Sequence, residues 1–287
     1  MSARALDGKA VAAEIRLELA VEAERLAAAG RRPGLAAVLV GDDEPSRIYV
    51  GAKQRAAEST GFVSRVVNLP GGTSQTEIED AVAALNADQA VHGIIVQLPL
   101  PPAIDPIRVQ EAIHPDKDVD ALHPVSEGRL LRGDPRFLPA TPAGIIELLR
   151  REKVEVEGAE VVIVGRGLLV GRPLAVMLAA KRAGANATVT LCHTGTRDLA
   201  AHTRRADVLV VAAGRLGVVT PGMVKPGAAV IDAGQHRTPD GLRGDVDPGV
   251  AEVAGALTPV PGGVGPMTVA MLLANTVEAA RSTEPGR

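Results

Sequence analysis

Strand-length apolar runs such as Val161–Val164 and Val208–Ala213 alternate with amphipathic, helix-length stretches along almost the whole chain. That alternation is the pattern of parallel sheets joined by crossover helices, so the fold class is α/β. A helix is expected over Asp7–Ala29, stopped by Gly30, then a strand over Leu35–Val40 ending at Gly41. Ser46 is placed to cap a helix running to Ser59, Val63–Leu69 reads as a strand, and Ser74 with Glu77 has capping-box spacing for a helix to Asn86. Gly93–Gln97 is the next strand. From Pro99 to Pro142 the chain is rich in Pro, Asp and His, which predicts loop apart from a short helix near Pro106–Ile113 and suggests a hinge. Thr141 and Pro142 suit an N-cap and first helical position for a helix to Arg151, where a second α/β unit begins.

A chain of 287 residues with 46% hydrophobic content can fill two ordinary cores. Thirty-one basic against 34 acidic residues leave a formal charge of -3, which supplies no broad footprint for nucleic acid or an anionic membrane. Small-molecule chemistry is the remaining expectation. No apolar run approaches the roughly 20 residues that span a bilayer, the N-terminal segment has no apolar signal core, and Cys192 is the only cysteine, so no intramolecular disulfide can form. These features point to the cytoplasm.

The second unit carries a cofactor signal. The run Val161–Val164 leads into Gly165-Arg166-Gly167-Leu168-Leu169-Val170-Gly171-Arg172-Pro173 and then a helical stretch from Leu174 to about Ala183. Glycines at such a strand-to-helix turn let backbone amides approach a pyrophosphate at a helix N-terminus. The spacing is not standard, because Gly171 replaces a glycine three residues after Gly167, and an ordinary glycine turn has the same pattern. The next strand, Ala187–Cys192, ends at His193, Thr194 and Thr196, where an NAD site would place an acid for the ribose hydroxyls. Thr194, with Arg166 or Arg197, suits a 2′-phosphate, which favours NADP. Thr194 equally suits the cap of the following helix.

In the first unit, Ser46, Tyr49 and Lys53 stand at i, i+3 and i+7, with Tyr49 and Lys53 one turn apart on one helical face. Tyr49 is the only tyrosine, and Lys53 is one of six lysines. A partly exposed tyrosine beside a solvated lysine would share that spacing. Gln97 closes the apolar strand and precedes Leu98-Pro99-Leu100-Pro101, at the carboxyl end where open α/β sheets bind ligands. Asp116, Asp118 and Asp120 form an acidic loop that suits a solvated turn or substrate anchor better than a metal site. The run Thr258–Thr268, with Pro261, Gly262 and Gly263 at its centre, reads as a rigid binding loop or a second interdomain linker, with helix resuming over Thr268–Ala280.

Taken together, Ser46-x-x-Tyr49-Val50-x-x-Lys53, Gly93-x-x-Val96-Gln97-Leu98-Pro99-Leu100-Pro101, Lys117-Asp118-Val119-Asp120 and Pro261-Gly262-Gly263-Val264-Gly265-Pro266-Met267-Thr268 resemble, in order and over nearly the whole chain, the signatures of the methylenetetrahydrofolate dehydrogenase/cyclohydrolase family. The resemblance implies a catalytic domain over 1–139, completed by 267–287, a Rossmann-like NADP-binding domain over 140–266, a cleft between them, and a homodimer. It implies a folate substrate, NADP as cofactor and no metal. It makes Lys53 the central catalytic residue, with Gln97 tuning it, Tyr49 against the pterin and Asp120 anchoring the pterin ring. Ser46, Leu98, Pro99, Pro261, Gly262 and Gly263 join the folate set, and Gly165, Arg166, Gly167, Thr194 and Gln235 the cofactor set.

This chain departs from that family at four positions: Ala121 replaces a usual glycine, Ala140 a cysteine, Gly167 a serine and Gln235 an aliphatic residue. Should residue 121 need left-handed backbone, alanine there costs about 1–2 kcal/mol and can displace Asp120. Two other readings remain at this point. One is a different NADP-dependent dehydrogenase of the shikimate or amino-acid type, which would account for the central fold but not the other motifs. The other is a non-enzymatic folate- or nucleotide-binding paralogue, motivated by the departures.

Overall fold

The computed structural model describes residues 2–282. Packing divides the chain into two units: one takes the described residues of Met1–Ala12 with Thr141–Thr268, the other Ala13–Ala140 with those of Val269–Arg287.

The second of these units is built on a three-stranded parallel sheet in the order Val63–Leu69, Gly34–Val40, Gly93–Val96. The central strand, Gly-Leu-Ala-Ala-Val-Leu-Val, is buried along its whole length, as a strand covered on both faces must be. One face packs Val38, Val40, Ile78, Val82, Leu85 and Ile94 together. The other packs Leu35, Ala37, Leu39, Val50 and Ile95 with Leu272, Leu273 and Val277 of the C-terminal helix. Asn275 fastens that helix by donating from Nδ2 to the carbonyl oxygens of Val119 (2.7 Å) and Leu138 (2.9 Å).

The other unit contains a six-stranded parallel sheet in the order Arg4–Ala5, Ala256–Leu257, Ala229–Asp232, Val208–Val211, Glu160–Val164, Thr188–Cys192. Its inner strands are mostly apolar, and the register sets Val164 beside Cys192 and Val211, and Val211 beside Asp232. Four strand ends therefore lie level, with Glu160–Val164 at the point where chain order reverses across the sheet. An antiparallel hairpin, His236–Thr238 with Gly241–Arg243, follows Asp232.

Residues 2–12 do not group with the rest of the expected N-terminal domain, because Arg4 and Ala5 pair with Ala256 and Leu257 at the edge of the six-stranded sheet. At Gly8 a side chain would run into the Gly263 carbonyl, so glycine lets the first helix start against that loop.

Several expected boundaries shift for identifiable reasons. The helix expected to start at Ser46 spans Glu44–Ser59 with Asp43 as N-cap, since Asp43 accepts from the Ser46 N–H at 2.9 Å. The stretch 99–142 holds a second helix, Pro124–Arg132, which His123 caps through a bond from the Val125 N–H and Gly133 ends at φ 83. The helix expected from Thr141 begins at Ala140, and the Thr141 hydroxyl instead shares a 3.0 Å hydrogen bond with that of Thr268. The last helix starts at Val264, inside the run expected to be irregular. Pro266 falls in its first turn, where a missing N–H costs no intrahelical bond.

Candidate active site

The Asp43 carboxylate fixes the start of helix Glu44–Ser59 twice, accepting from the Ser46 N–H and from Ser46 Oγ at 2.6 Å. Ser46 is buried, so its hydroxyl secures the helix start. One turn on, Tyr49 is 38% exposed, and Lys53 is half-buried a further turn along the same face. Lys53 Nζ donates to Gln97 Oε1 at 3.1 Å. Gln97, the first residue beyond its strand, is held by its own N–H bond to the Val38 carbonyl (2.9 Å) and by donating from Nε2 to the Leu98 carbonyl (2.6 Å). The side-chain amide is thus oriented with its oxygen toward the lysine.

Asp120 completes the cluster. Burial lowers the Lys53 pKa from the ordinary lysine range, and the Asp120 carboxylate opposes that shift. Burial raises the Asp120 pKa, with Lys53 pulling it down and Asp118 pushing it up. Each group thus meets an environment that disfavours its charged form and a partner that favours it. Among the described residues nothing donates a hydrogen bond to the Asp120 carboxylate, leaving its oxygens available to a ligand.

The rest of the acidic run serves to place Asp120. Asp118 is buried and accepts from the N–H groups of Leu122 (3.2 Å) and His123 (2.9 Å) and from Ser126 Oγ (2.6 Å). Lys117 donates to the carbonyls of Leu85, Asn86 and Asp88, acceptors that a helix C-terminus leaves without an intrahelical partner. Exposed Asp116 pairs with Arg136 at 3.2 Å. Residues 117–119 lie against strand Gly93–Val96, where the Ile94 N–H donates to the Lys117 carbonyl at 2.8 Å and a side chain at Gly93 would strike Val119. Just after Asp120, Ala121 is buried at φ 57, in the left-handed region that favours glycine. Ala140, another departure, is buried in the apolar core of this unit.

In the unit of the six-stranded sheet, the level strand ends frame a cavity of about 770 Å³, within the range of sites for small molecules and cofactors. Gly165, Arg166, Gly167, Thr194 and Gln235 all line it, so this unit brings together all five residues expected at the cofactor site. Gly165 has φ 125, and a Cβ there would run into the Ala212 carbonyl; one at Gly171 would run into the carbonyl of Gly165 itself. These two glycines are sterically required. Gly167 is not, since open space surrounds its absent Cβ. Helix Gly171–Ala179 has no side-chain cap at Val170; the Arg172 N–H donates to the Gly167 carbonyl at 3.1 Å and Pro173 has no N–H, so the Gly171 N–H is the first-turn donor that remains for an anion. Thr194 does not cap the following helix, Leu199–Thr203; Asp198 does, accepting from the Ala201 N–H. The cradle, the uncapped helix and Arg166 suit a dinucleotide phosphate chain.

Pro261, Gly262 and Gly263 lie in this same unit, on the turn into the last helix. Gly262 has φ 113, and a side chain at Gly263 would strike Pro259 and Thr258. Leu98 and Pro99 belong to the other unit with Lys53. The Leu98-Pro99 and Val260-Pro261 peptide bonds are cis. Half-buried Gln235 reaches toward the last helix, with its Nε2 3.1 Å from where a Cβ on Gly265 would stand. Among the described residues no three His, Cys, Asp or Glu side chains are grouped to hold a metal ion, and no helix is long and apolar enough to cross a membrane.

Comparison with known proteins gives the geometry a family. Residues 6–120 match the model of the tetrahydrofolate dehydrogenase/cyclohydrolase catalytic domain, and residues 139–284 that of its NAD(P)-binding domain. The chain is 54% identical over 288 residues to the bifunctional protein FolD of Syntrophus aciditrophicus, covering 98% of each. The crystal structure of the bifunctional enzyme FolD, a methylenetetrahydrofolate dehydrogenase/cyclohydrolase from Campylobacter jejuni, superposes with a TM-score of 0.94 at 43% identity, covering 99% of this chain and 100% of that one. The Trypanosoma brucei methylenetetrahydrofolate dehydrogenase-cyclohydrolase, solved with NADP cofactor and an inhibitor, gives 0.92 at 42% identity, covering 99% of each chain. With both domain models matched and the relatives aligned end to end, the chain belongs to the tetrahydrofolate dehydrogenase/cyclohydrolase family.

Proposed function

We propose that this chain oxidises 5,10-methylenetetrahydrofolate to 5,10-methenyltetrahydrofolate with NADP and hydrolyses the product to 10-formyltetrahydrofolate. The observation that carries the reading is the cluster in which half-buried Lys53 is held by Gln97 Oε1 at 3.1 Å beside Asp120. The chemistry that NADP would supply when bound is acceptance of a hydride from the one-carbon bridge. The residues fitted to it are Gly165 and Gly167 with the Gly171 N–H at the start of helix Gly171–Ala179 for the pyrophosphate, and Thr194 with Arg166 for the 2′-phosphate. Full-length membership of the family leaves no role for the shikimate-type or non-enzymatic alternatives.

In this reading Asp120 accepts from the pterin amino and ring N–H groups, which orients the folate. Tyr49 lies against the pterin, Leu98 and Pro99 border it, and Ser46 supports this face from the helix start. Pro261, Gly262 and Gly263 supply a rigid loop for the substrate. Methenyl formation leaves a cation, so the first step needs no oxyanion stabilisation. Water attack on the methenyl carbon gives a protonated adduct that must lose a proton before the ring opens. Burial makes the Lys53 amine easier to deprotonate, and a partly neutral amine in this position takes and returns that proton. Gln97 keeps the amine in place without adding negative charge. We further propose that the active species is a homodimer in the cytoplasm.

The test is to mix the purified chain with methylenetetrahydrofolate and NADP and follow methenyl and reduced-cofactor absorbance. Formation of both, with decay of the methenyl signal to the formyl product, is expected. Cofactor and folate binding without turnover would contradict the reading.

A further inference from the structure

The wall of the cofactor cavity carries an acid with no assigned role. Asp245 is fully buried, and its Oδ2 accepts from the N–H groups of Ala213 (2.6 Å) and Gly214 (2.9 Å) while its Oδ1 pairs with His236 Nε2 at 2.6 Å. Its backbone is pinned in turn: the Asp245 N–H donates to Asp232 Oδ1 at 2.9 Å and the Val246 N–H to Asp232 Oδ2 at 3.0 Å. Side chains at Gly234 and Gly244 would collide with Asp245 and Asp232 respectively, so both glycines let the carboxylates approach. Asp245 cannot swing away from the cavity.

Its place on the sheet says which half of a dinucleotide it faces. The pyrophosphate belongs at the turn after Glu160–Val164, where strand order reverses, and the two halves of the cofactor extend to either side. Thr194, after strand Thr188–Cys192, marks the adenosine side. Ala213, Gly214 and Gly234, which follow the strands on the opposite side, therefore border the nicotinamide, and all three line the cavity with Asp245. Only the oxidised ring is cationic. A fixed negative charge shielded from solvent acts on it strongly and leaves the neutral reduced ring nearly untouched.

We propose that Asp245 is a specificity-determining residue that biases this site toward oxidised over reduced NADP, a proposal that rests on the cofactor reading above. Asp232 beside it accepts from the Gly234, Asp245 and Val246 N–H groups while burial raises its pKa, so the charge in question is that of Asp245, and His236 is the group that moderates it.

Asp245→Asn isolates the charge. The amide oxygen can accept the Ala213 and Gly214 bonds, and the amide NH2 can donate to His236 in its other tautomer. Calorimetric titration of the full chain with NADP and with NADPH gives the ratio of their dissociation constants. The ratio Kd(NADP)/Kd(NADPH) should rise about five- to tenfold in Asp245→Asn. In His236→Leu, where a ring with 24% of its surface exposed is removed and the charge is less moderated, the ratio should fall. Equal changes in both constants, or no change, in Asp245→Asn would overturn the proposal. Should that variant lose its thermal transition, a His236→Leu ratio at or above the wild-type value would do the same. A wild type that binds neither form would remove the cofactor reading itself, an outcome distinct from an altered ratio.

Discussion

Lys53 Nζ donates to Gln97 Oε1 across 3.1 Å, so the buried amine meets a neutral acceptor, and the negative charge acting on it is that of Asp120. The neutrality of that acceptor has a measurable consequence. In Gln97→Glu a carboxylate would favour the ammonium form and raise the Lys53 pKa. A reaction that needs the neutral amine should then move its rising limb to higher pH. Hydrolysis of the methenyl substrate at neutral pH should fall about tenfold for every pH unit the limb moves. A pH–rate profile of cyclohydrolase activity checks this, and an unmoved limb would contradict it.

Ala121 sits at φ 57 beside Asp120, so the backbone already follows the left-handed path. Ala121→Gly would relieve about 1–2 kcal/mol of strain. It would also remove a buried methyl worth roughly 0.8 kcal/mol and add about 0.5–1 kcal/mol of unfolded-chain entropy. These terms nearly cancel, so urea unfolding should place the variant within about 1 kcal/mol of wild type, with the folate KM within about twofold. A β-branched residue has no such balance, and Ala121→Val should lose more than about 2 kcal/mol. A gain above that margin in Ala121→Gly would mean the strain is larger than φ indicates.

The cofactor turn separates required from permissive glycines. A side chain at Gly165 meets the Ala212 carbonyl, whereas Gly167 faces open space. Gly165→Ala should weaken NADP binding more than about tenfold, as expected when the backbone cradle for a pyrophosphate is displaced. Gly167→Ser should fold normally and keep the NADP dissociation constant within a few-fold. Equal tolerance of both substitutions would contradict the placement of the phosphate chain.

Thr194 borders the cavity where a ribose-binding acid would stand in an NAD site. NADP should therefore bind more tightly than NAD, and Thr194→Glu should narrow or reverse that order by about tenfold or more through repulsion of the 2′-phosphate. The chain has no tryptophan, so reduced-cofactor emission can be titrated against little protein background. Equal wild-type affinity for the two reduced cofactors would count against the assignment.

Features carried by neighbouring residues are legible in the sequence. The strand Val63–Leu69 and the Ser74–Glu77 capping box can be read off residue for residue, because alternation and i to i+3 bonding are local. The helix Pro124–Arg132 is masked by the Pro, Asp and His content around it, although its signals, Pro124 at the start, basic residues in the last turn and Gly133 after it, are helix-boundary chemistry. Asp43 and Ser46 are both able to cap, and only the structure shows which carboxylate or hydroxyl accepts. Lys53, Gln97 and Asp120 stand out in the sequence, yet spacing alone favours a solvated lysine over a catalytic one. Asp245 gives no local signal, since its backbone partners Ala213 and Gly214 lie 32 and 31 residues away.

In the proposed reaction Lys53 moves the proton in hydrolysis and is not needed as a base for hydride departure, which the adjacent nitrogen lone pair drives. Lys53→Met keeps the length and apolar stem of the side chain while removing the amine. The decisive measurement is the ratio of cyclohydrolase to dehydrogenase rates in this variant, taken with its folate affinity. With affinity preserved, cyclohydrolase activity should fall about 100-fold or more, the scale of general acid–base catalysis, and dehydrogenase activity much less. Hydrolysis of the methenyl compound at the wild-type rate, with folate still bound, would contradict the account.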